Sequence, residues 1–163
     1  EGGSEGEDVI WKARQEKIFR QQLELAVEQN LNVVVHQRAA LDATLAIFKQ
    51  YSDRTRAQFH CFVDDVASMR RIIEMGSLVS FTGIVTFKNA EEVRETISAT
   101  PLDKLMLETD SPFLAPVPRR GKCCEPSFTR HIAEKVAEVK RISVGELSEV
   151  TNATARAFFT KLA

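Results

Sequence analysis

Charge of either sign is not in excess: 22 Lys and Arg stand against 23 Asp and Glu, for a net charge of −1. No global field steers the molecule toward nucleic acid or a membrane, so any polyanion site has to be local. Cysteine is scarce and odd in number. Cys61, Cys123 and Cys124 are the three, two of them adjacent. That excludes the disulfide framework of a small secreted domain and points to a reducing compartment, taken as the cytoplasm. No apolar run approaches the roughly 18 residues of a membrane span. A glycine loop of the phosphate-cradling kind is missing, and position 1 is Glu1 instead of methionine. The missing signal peptide therefore carries little weight. What is present is 163 residues, 44% hydrophobic and 28% charged. A chain of that length can bury roughly 70% of its unfolded surface in one core.

The first ten residues, EGGSEGEDVI, read as an acidic, glycine-rich loop, with one domain over residues 11–163. Apolar positions at Ile18, Phe19, Leu23, Leu25 and Ala26 largely keep helical spacing and predict a helix from Trp11 to Gln29. LNVVVH (Leu31 to His36) is a β-branched run without alternation, the pattern of a strand covered on both sides. A helix follows from Leu41 to Tyr51, then a second strand from Gln58 to Phe62. Asp64 or Asp65 caps a helix reaching Met75, which Gly76 ends. Leu78 to Gly83 is a third strand, Asn89 caps a helix to about Ser98, and Lys104 to Thr109 is a fourth strand. Strands and helices alternating in this way demand an α/β fold with parallel strands and right-handed crossovers. A loop then carries four of the chain's five prolines. Three helical segments close the chain: Phe128 to Lys140, Val144 to Val150 with Ser143 as N-cap, and about Ala153 to Leu162.

Side chains two apart on a strand share a face. Gln58 and His60 therefore lie together, as do Ser80 and Thr82, and Glu108 and Asp110, while His36 follows Val34. Each strand turns polar at its carboxyl end on the face away from Phe59, Phe81 and Leu107. Ligands of parallel α/β folds bind at those ends. Two histidines and an aspartate there, His36, His60 and Asp110, form an N/N/O donor set suited to zinc, manganese or a similar divalent ion.

The segments VVVHQR, FHCF, SFTGIVTFKNA, LETDSPFLAPVP and RGKCCEP, in that order, resemble the TatD family of metal-dependent deoxyribonucleases. The similarity runs from about Gln15 to the C-terminus. It implies a parallel (β/α) barrel, with these four strands as the C-terminal half of a TIM-barrel metal-dependent hydrolase. It further implies exonuclease-like hydrolysis of DNA phosphodiesters by metal-activated water, with two divalent ions (Zn, Mn or Mg). His36, His60 and Asp110 become metal ligands by motif, and Glu108, one layer deeper on the same face, orients a ligand or a bound water. The catalytic pair implied is Asp110 and Glu108. Departures are also visible. The family's first-strand His-x-His pair and its bridging glutamate have no clear counterpart, which leaves Glu1 either as that glutamate or as part of an inserted loop. Ala39 stands where an acid usually follows the His-x-Arg triplet, and Cys123 and Cys124 replace a common Arg-Asn.

Local cations supply candidate phosphate contacts. Arg38 lies two residues past His36, Lys88 follows the third strand, and Arg119, Arg120 and Lys122 form a basic patch after Asp110. The partner this implies is DNA, single-stranded or at 3′ ends, and no membrane. Ser80 and Thr82 lack a base placed to activate them, which disfavours a serine nucleophile. Two other readings stay open. One is hydrolysis of a small ester, lactone or amide on a similar barrel. The other is a non-catalytic, truncated product whose unpaired strand edges promote dimerisation. On its own the 163-residue chain is expected to be inactive or weak.

Overall fold

The computed structural model describes residues 5–161. Strands and helices alternate as α1 (Glu5–Glu28), β1 (Val33–Val35), α2 (Leu41–Phe48), β2 (Ala57–Phe59), α3 (Val66–Glu74), β3 (Leu78–Phe81), α4 (Glu91–Ala99), β4 (Leu105–Leu107), α5 (Thr129–Lys140) and α6 (Val144–Phe158). The strands form one parallel sheet in chain order. Val35 lies beside Phe59, Phe59 beside Val79, and Val79 beside Leu105. Those four side chains share one face and bury against Phe48, Met69, Ile72, Ile97 and Ile132 from the covering helices. Residues between them point to the opposite face. There Leu78 and Met106 bury against Phe158 from the end of α6, in a separate small cluster. Gln58, Ser80 and Thr82 continue the second face as buried polar groups. The sheet thus has an apolar face under helices and a face that turns polar toward the carboxyl ends of its strands.

Several expectations need correction. The supposed loop over residues 1–10 is helical from Glu5, since acidic residues suit the positive end of a helix dipole as well as a loop. Glu1 lies outside the described residues. β1 is not covered on both sides: it is an edge of the sheet, and Val34 is 53% exposed. The apolar residues of α1 also divide. Leu23 and Ala26 are buried, and Arg20 donates to the Gln50 side chain at 2.8 Å. Ile18 and Leu25 instead join Trp11 at seven-residue spacing in an exposed stripe.

Asn89 is not a cap. Ala90 occupies that position, with no side-chain cap. Arg94 reaches back to the carbonyls of Val85, at 3.1 Å, and Phe87, at 2.8 Å, and ties down the turn before α4. Asp65 does cap α3, accepting from the Ser68 amide, and Ser143 caps α6 through the Glu146 amide. The two helices expected after Ser143 are one. Thr151 and Thr154 donate their hydroxyls to the carbonyls of Leu147 and Val150, one turn back, so the polar run TNAT continues the helix instead of breaking it. Among the described residues, no helix is long and apolar enough to cross a membrane.

The loop after β4 folds back over the end of β3. The Val117 amide donates to Thr86 Oγ1 at 2.9 Å, and the backbone of Leu114 and Pro116 lies directly against Gly83. A Cβ at Gly83 would collide with the Leu114 carbonyl oxygen. Gly83→Ala should therefore lower unfolding stability by about 1–3 kcal/mol, the usual cost of overpacking, as read from urea denaturation.

Candidate metal centre

The carboxyl ends of β2, β3 and β4 meet on one carboxylate. Glu108 Oε1 accepts from the Cys61 amide at 2.8 Å, from Ser80 Oγ at 2.5 Å and from His60 Nδ1 at 2.8 Å. Its other oxygen accepts from Gln58 Nε2 at 3.0 Å. The Glu108 side chain is only 19% exposed. Cys61 presents its amide because the backbone turns there into the left-handed region, φ 50°. That conformation is costly for a residue with a Cβ and persists only where its surroundings impose it.

This arrangement sets the chemistry of His60. Glu108 is acceptor-only when ionised, so the His60 nitrogen facing it carries the proton, and the tautomer is assigned as Nδ1–H. In the neutral ring Nε2 then holds a lone pair, and it faces Asp110 Oδ1 at 3.3 Å. Two electron-rich atoms directed at each other repel unless a cation lies with them. In the metal-free protein a proton can do this. Burial works against the imidazolium, but the hydrogen bond and charge of Glu108 and the nearby charge of Asp110 outweigh it and raise the His60 pKa. An imidazole nitrogen and a carboxylate oxygen are equally donors that divalent zinc or manganese accepts.

His36, just past β1, brings its ring to 5.7 Å from that of His60, centroid to centroid. It is exposed. The adjoining loop is braced by the Gln37 side chain, whose Nε2 donates to Asp64 Oδ2 at 2.8 Å and whose Oε1 accepts from the Ala40 amide at 3.1 Å. The structure thus draws His36, His60, Glu108 and Asp110 to one end of the sheet. Among the described residues, however, no three His, Cys, Asp or Glu side chains form a group able to hold an ion by themselves. The donor chemistry of His60 Nε2 with Asp110 Oδ1 fits a divalent cation.

The cationic candidates are arranged less uniformly. Arg38, Lys88 and Lys122 are exposed. Arg120 stacks over Phe87, 3.9 Å from the ring centroid, and donates to the Ala115 carbonyl at 3.4 Å, so it braces the loop. Arg119 lies 5.6 Å over the Phe128 ring. Sequence reasoning misses the partners of Glu108. It places Gln58 and Ser80 on the polar face, but the left-handed turn at Cys61 has no sequence signature.

Residues 6–160 match the family described as TatD related DNase. YcfH of Escherichia coli (strain K12), described as an uncharacterized metal-dependent hydrolase, is 42% identical over 141 residues, or 86% of this chain and 53% of its own length. YabD of Bacillus subtilis (strain 168), described in the same words, is 37% identical over 162 residues, or 96% of this chain and 64% of its own. The chain therefore spans about half to two thirds of the length of these relatives. Among solved structures, YJJV, a TatD homologue from Escherichia coli k12, aligns with a TM-score of 0.85 at 25% identity, covering 91% of this chain and 57% of that one. The four-stranded parallel α/β sheet is accordingly that of TatD-type TIM barrels.

Glu108→Gln tests the carboxylate directly. One oxygen becomes an amide that cannot accept from its neighbours, which should cost about 1–3 kcal/mol in urea unfolding. A raised pKa in the folded state means the native protein binds the His60 proton more tightly than the unfolded chain does. The wild-type contribution is then complete below the ordinary imidazole pKa and is lost as pH rises through the raised folded value. Metal-free unfolding series across that range should show the decline in wild type and a shallower one in the variant.

Proposed function

Because this chain belongs to the TatD related DNase family, we propose that it forms the rim of a metal-dependent hydrolase that cleaves phosphodiester bonds at DNA ends. The observation that carries this reading is the pairing of His60 Nε2 with Asp110 Oδ1 at 3.3 Å, with the other ring nitrogen tied to Glu108 at 2.8 Å. The relatives' description as metal-dependent hydrolases supports the same reading.

His60, Asp110 and His36 would hold the divalent cation or pair of cations, zinc, manganese or magnesium. When bound, such an ion supplies Lewis acidity, acidifying water and screening the charge of a phosphodiester. The chain's own residues do the rest. Glu108 fixes the His60 ring and keeps its proton on Nδ1, so that Nε2 stays available. Asp110, whose side chain is 35% exposed, would use its other oxygen, Oδ2, to take a proton from an attacking water. Arg38, Lys88 and Lys122 would contact phosphates without reading sequence. These exposed cations favour a phosphodiester over a small lactone or amide. The donor set on this chain is partial, so the 163 residues alone should turn over weakly.

Isothermal titration with zinc or manganese tests the metal claim. Wild type should bind, Glu108→Gln should bind about 10–100-fold more weakly, and His60→Ala more weakly still. Metal-stimulated release of nucleotides from a single-stranded oligonucleotide should follow the same ranking. Equal metal affinity in all three proteins would overturn the reading, as would nucleotide release that survives in His60→Ala.

A further inference from the structure

Phe113 is 70% exposed, more than any other large apolar side chain among the described residues. It lies in the turn that immediately follows Asp110. Its amide donates to the Asp110 carbonyl at 2.7 Å. The Cys124 amide donates to the carbonyl of Pro112, the residue just before Phe113, at 2.9 Å. Cys124, Ala115 and Pro116 are buried. The ring is therefore presented to solvent from a segment tied down at Pro112 and Phe113, at the cost of the stabilisation that burying a phenyl ring would bring. The same loop carries Arg119, Arg120 and Lys122, and two of these cations lie against aromatic surface: Arg119 over Phe128 and Arg120 over Phe87. An aromatic ring among cations is the composition of surfaces that bind unpaired nucleic acid, where bases stack on rings and cations follow the backbone.

We propose that Phe113 is a stacking platform for one base of the bound strand, the side chain by which this rim would hold the unpaired end that the family resemblance implies. The proposal rests on the phosphodiester reading above and names a substrate-positioning residue for that site. Residues three apart in a turn have Cα atoms within about 7 Å, on the order of one nucleotide's length. A phosphate at His60 and Asp110 would therefore leave a neighbouring base within reach of Phe113. A base held in a duplex keeps both faces stacked on its neighbours and offers none to the ring. Every base has a stacking face, so the platform selects for unpairing and not for sequence.

Fluorescence anisotropy with the 163-residue chain and zinc, on probes with a hydrolysis-resistant phosphorothioate backbone, tests this apart from catalysis. The probes are a labelled single-stranded thymidine oligonucleotide and two versions with an abasic nucleotide at one end or the other. Wild type should bind one abasic version on the order of tenfold more weakly than the intact oligonucleotide. Phe113→Ala should bind all three alike. Phe113→Trp, in a Trp11→Phe background, should restore the preference, with its emission quenched by the intact oligonucleotide. Circular dichroism controls for folding, which an exposed side chain should not affect. Equal binding of the three probes by wild type, no binding, or a preference that survives in Phe113→Ala would overturn the proposal. If a Phe113-dependent preference exists without any hydrolysis, the platform stands and the hydrolase reading falls. If metal-dependent hydrolysis occurs with no base preference, the hydrolase reading stands and the platform falls.

Discussion

Everything at the functional end of this protein depends on a carboxylate that is mostly withdrawn from solvent. A buried carboxylate is expensive unless its oxygens are fully used. Glu108 meets that condition with four donors drawn from β2, β3 and the turn after β2. The consequence is mechanical as well as electrostatic. Three strand ends that parallel pairing has already aligned are tied to one point, and the His60 ring is held with one defined nitrogen outward. The neighbouring carboxylate, Asp110, then faces a lone pair.

The apolar side of the sheet makes this possible. Val35, Phe59, Val79 and Leu105 lock the register from beneath, and a slip by one residue would send Glu108 into the helical layer. The loop after β4 is positioned by equally local means: Gly83 allows its backbone to pass at contact distance, and Arg120 stacks on Phe87 to support it. A rim built this way can carry exposed side chains such as Phe113 and Lys122 without losing its shape. Rigid strands hold the polar cluster, and a braced loop follows directly from it.

Much of this is legible in the sequence. The alternation of strands and helices predicts the parallel sheet, and period-two counting puts Glu108 and Asp110 on one face and His60 at the same end. The motif order from VVVHQR to RGKCCEP points to the family. Other features are not legible, for physical reasons. A three-residue β-branched strand reads the same at an edge as in the middle of a sheet, so the exposure of Val34 does not show. Helical periodicity finds apolar residues but cannot say which flank is buried, so Ile18 and Leu25 look no different from Leu23. Thr151 and Asn152 of α6 read as a break because their bonds to the preceding turn become visible only in three dimensions. Glu108 reads as a helper, while its dependence on the Cys61 amide requires a left-handed backbone that sequence does not announce.

The central claim is that Glu108 keeps the His60 proton on Nδ1 and leaves Nε2 to a cation shared with Asp110. Nitrogen-15 chemical shifts of the His60 ring, recorded with zinc or cadmium bound, test it most directly. The account predicts a protonated Nδ1 and an Nε2 displaced from its free-imidazole position by the metal. A protonated Nε2, with Nδ1 bound to the metal or free, would contradict it.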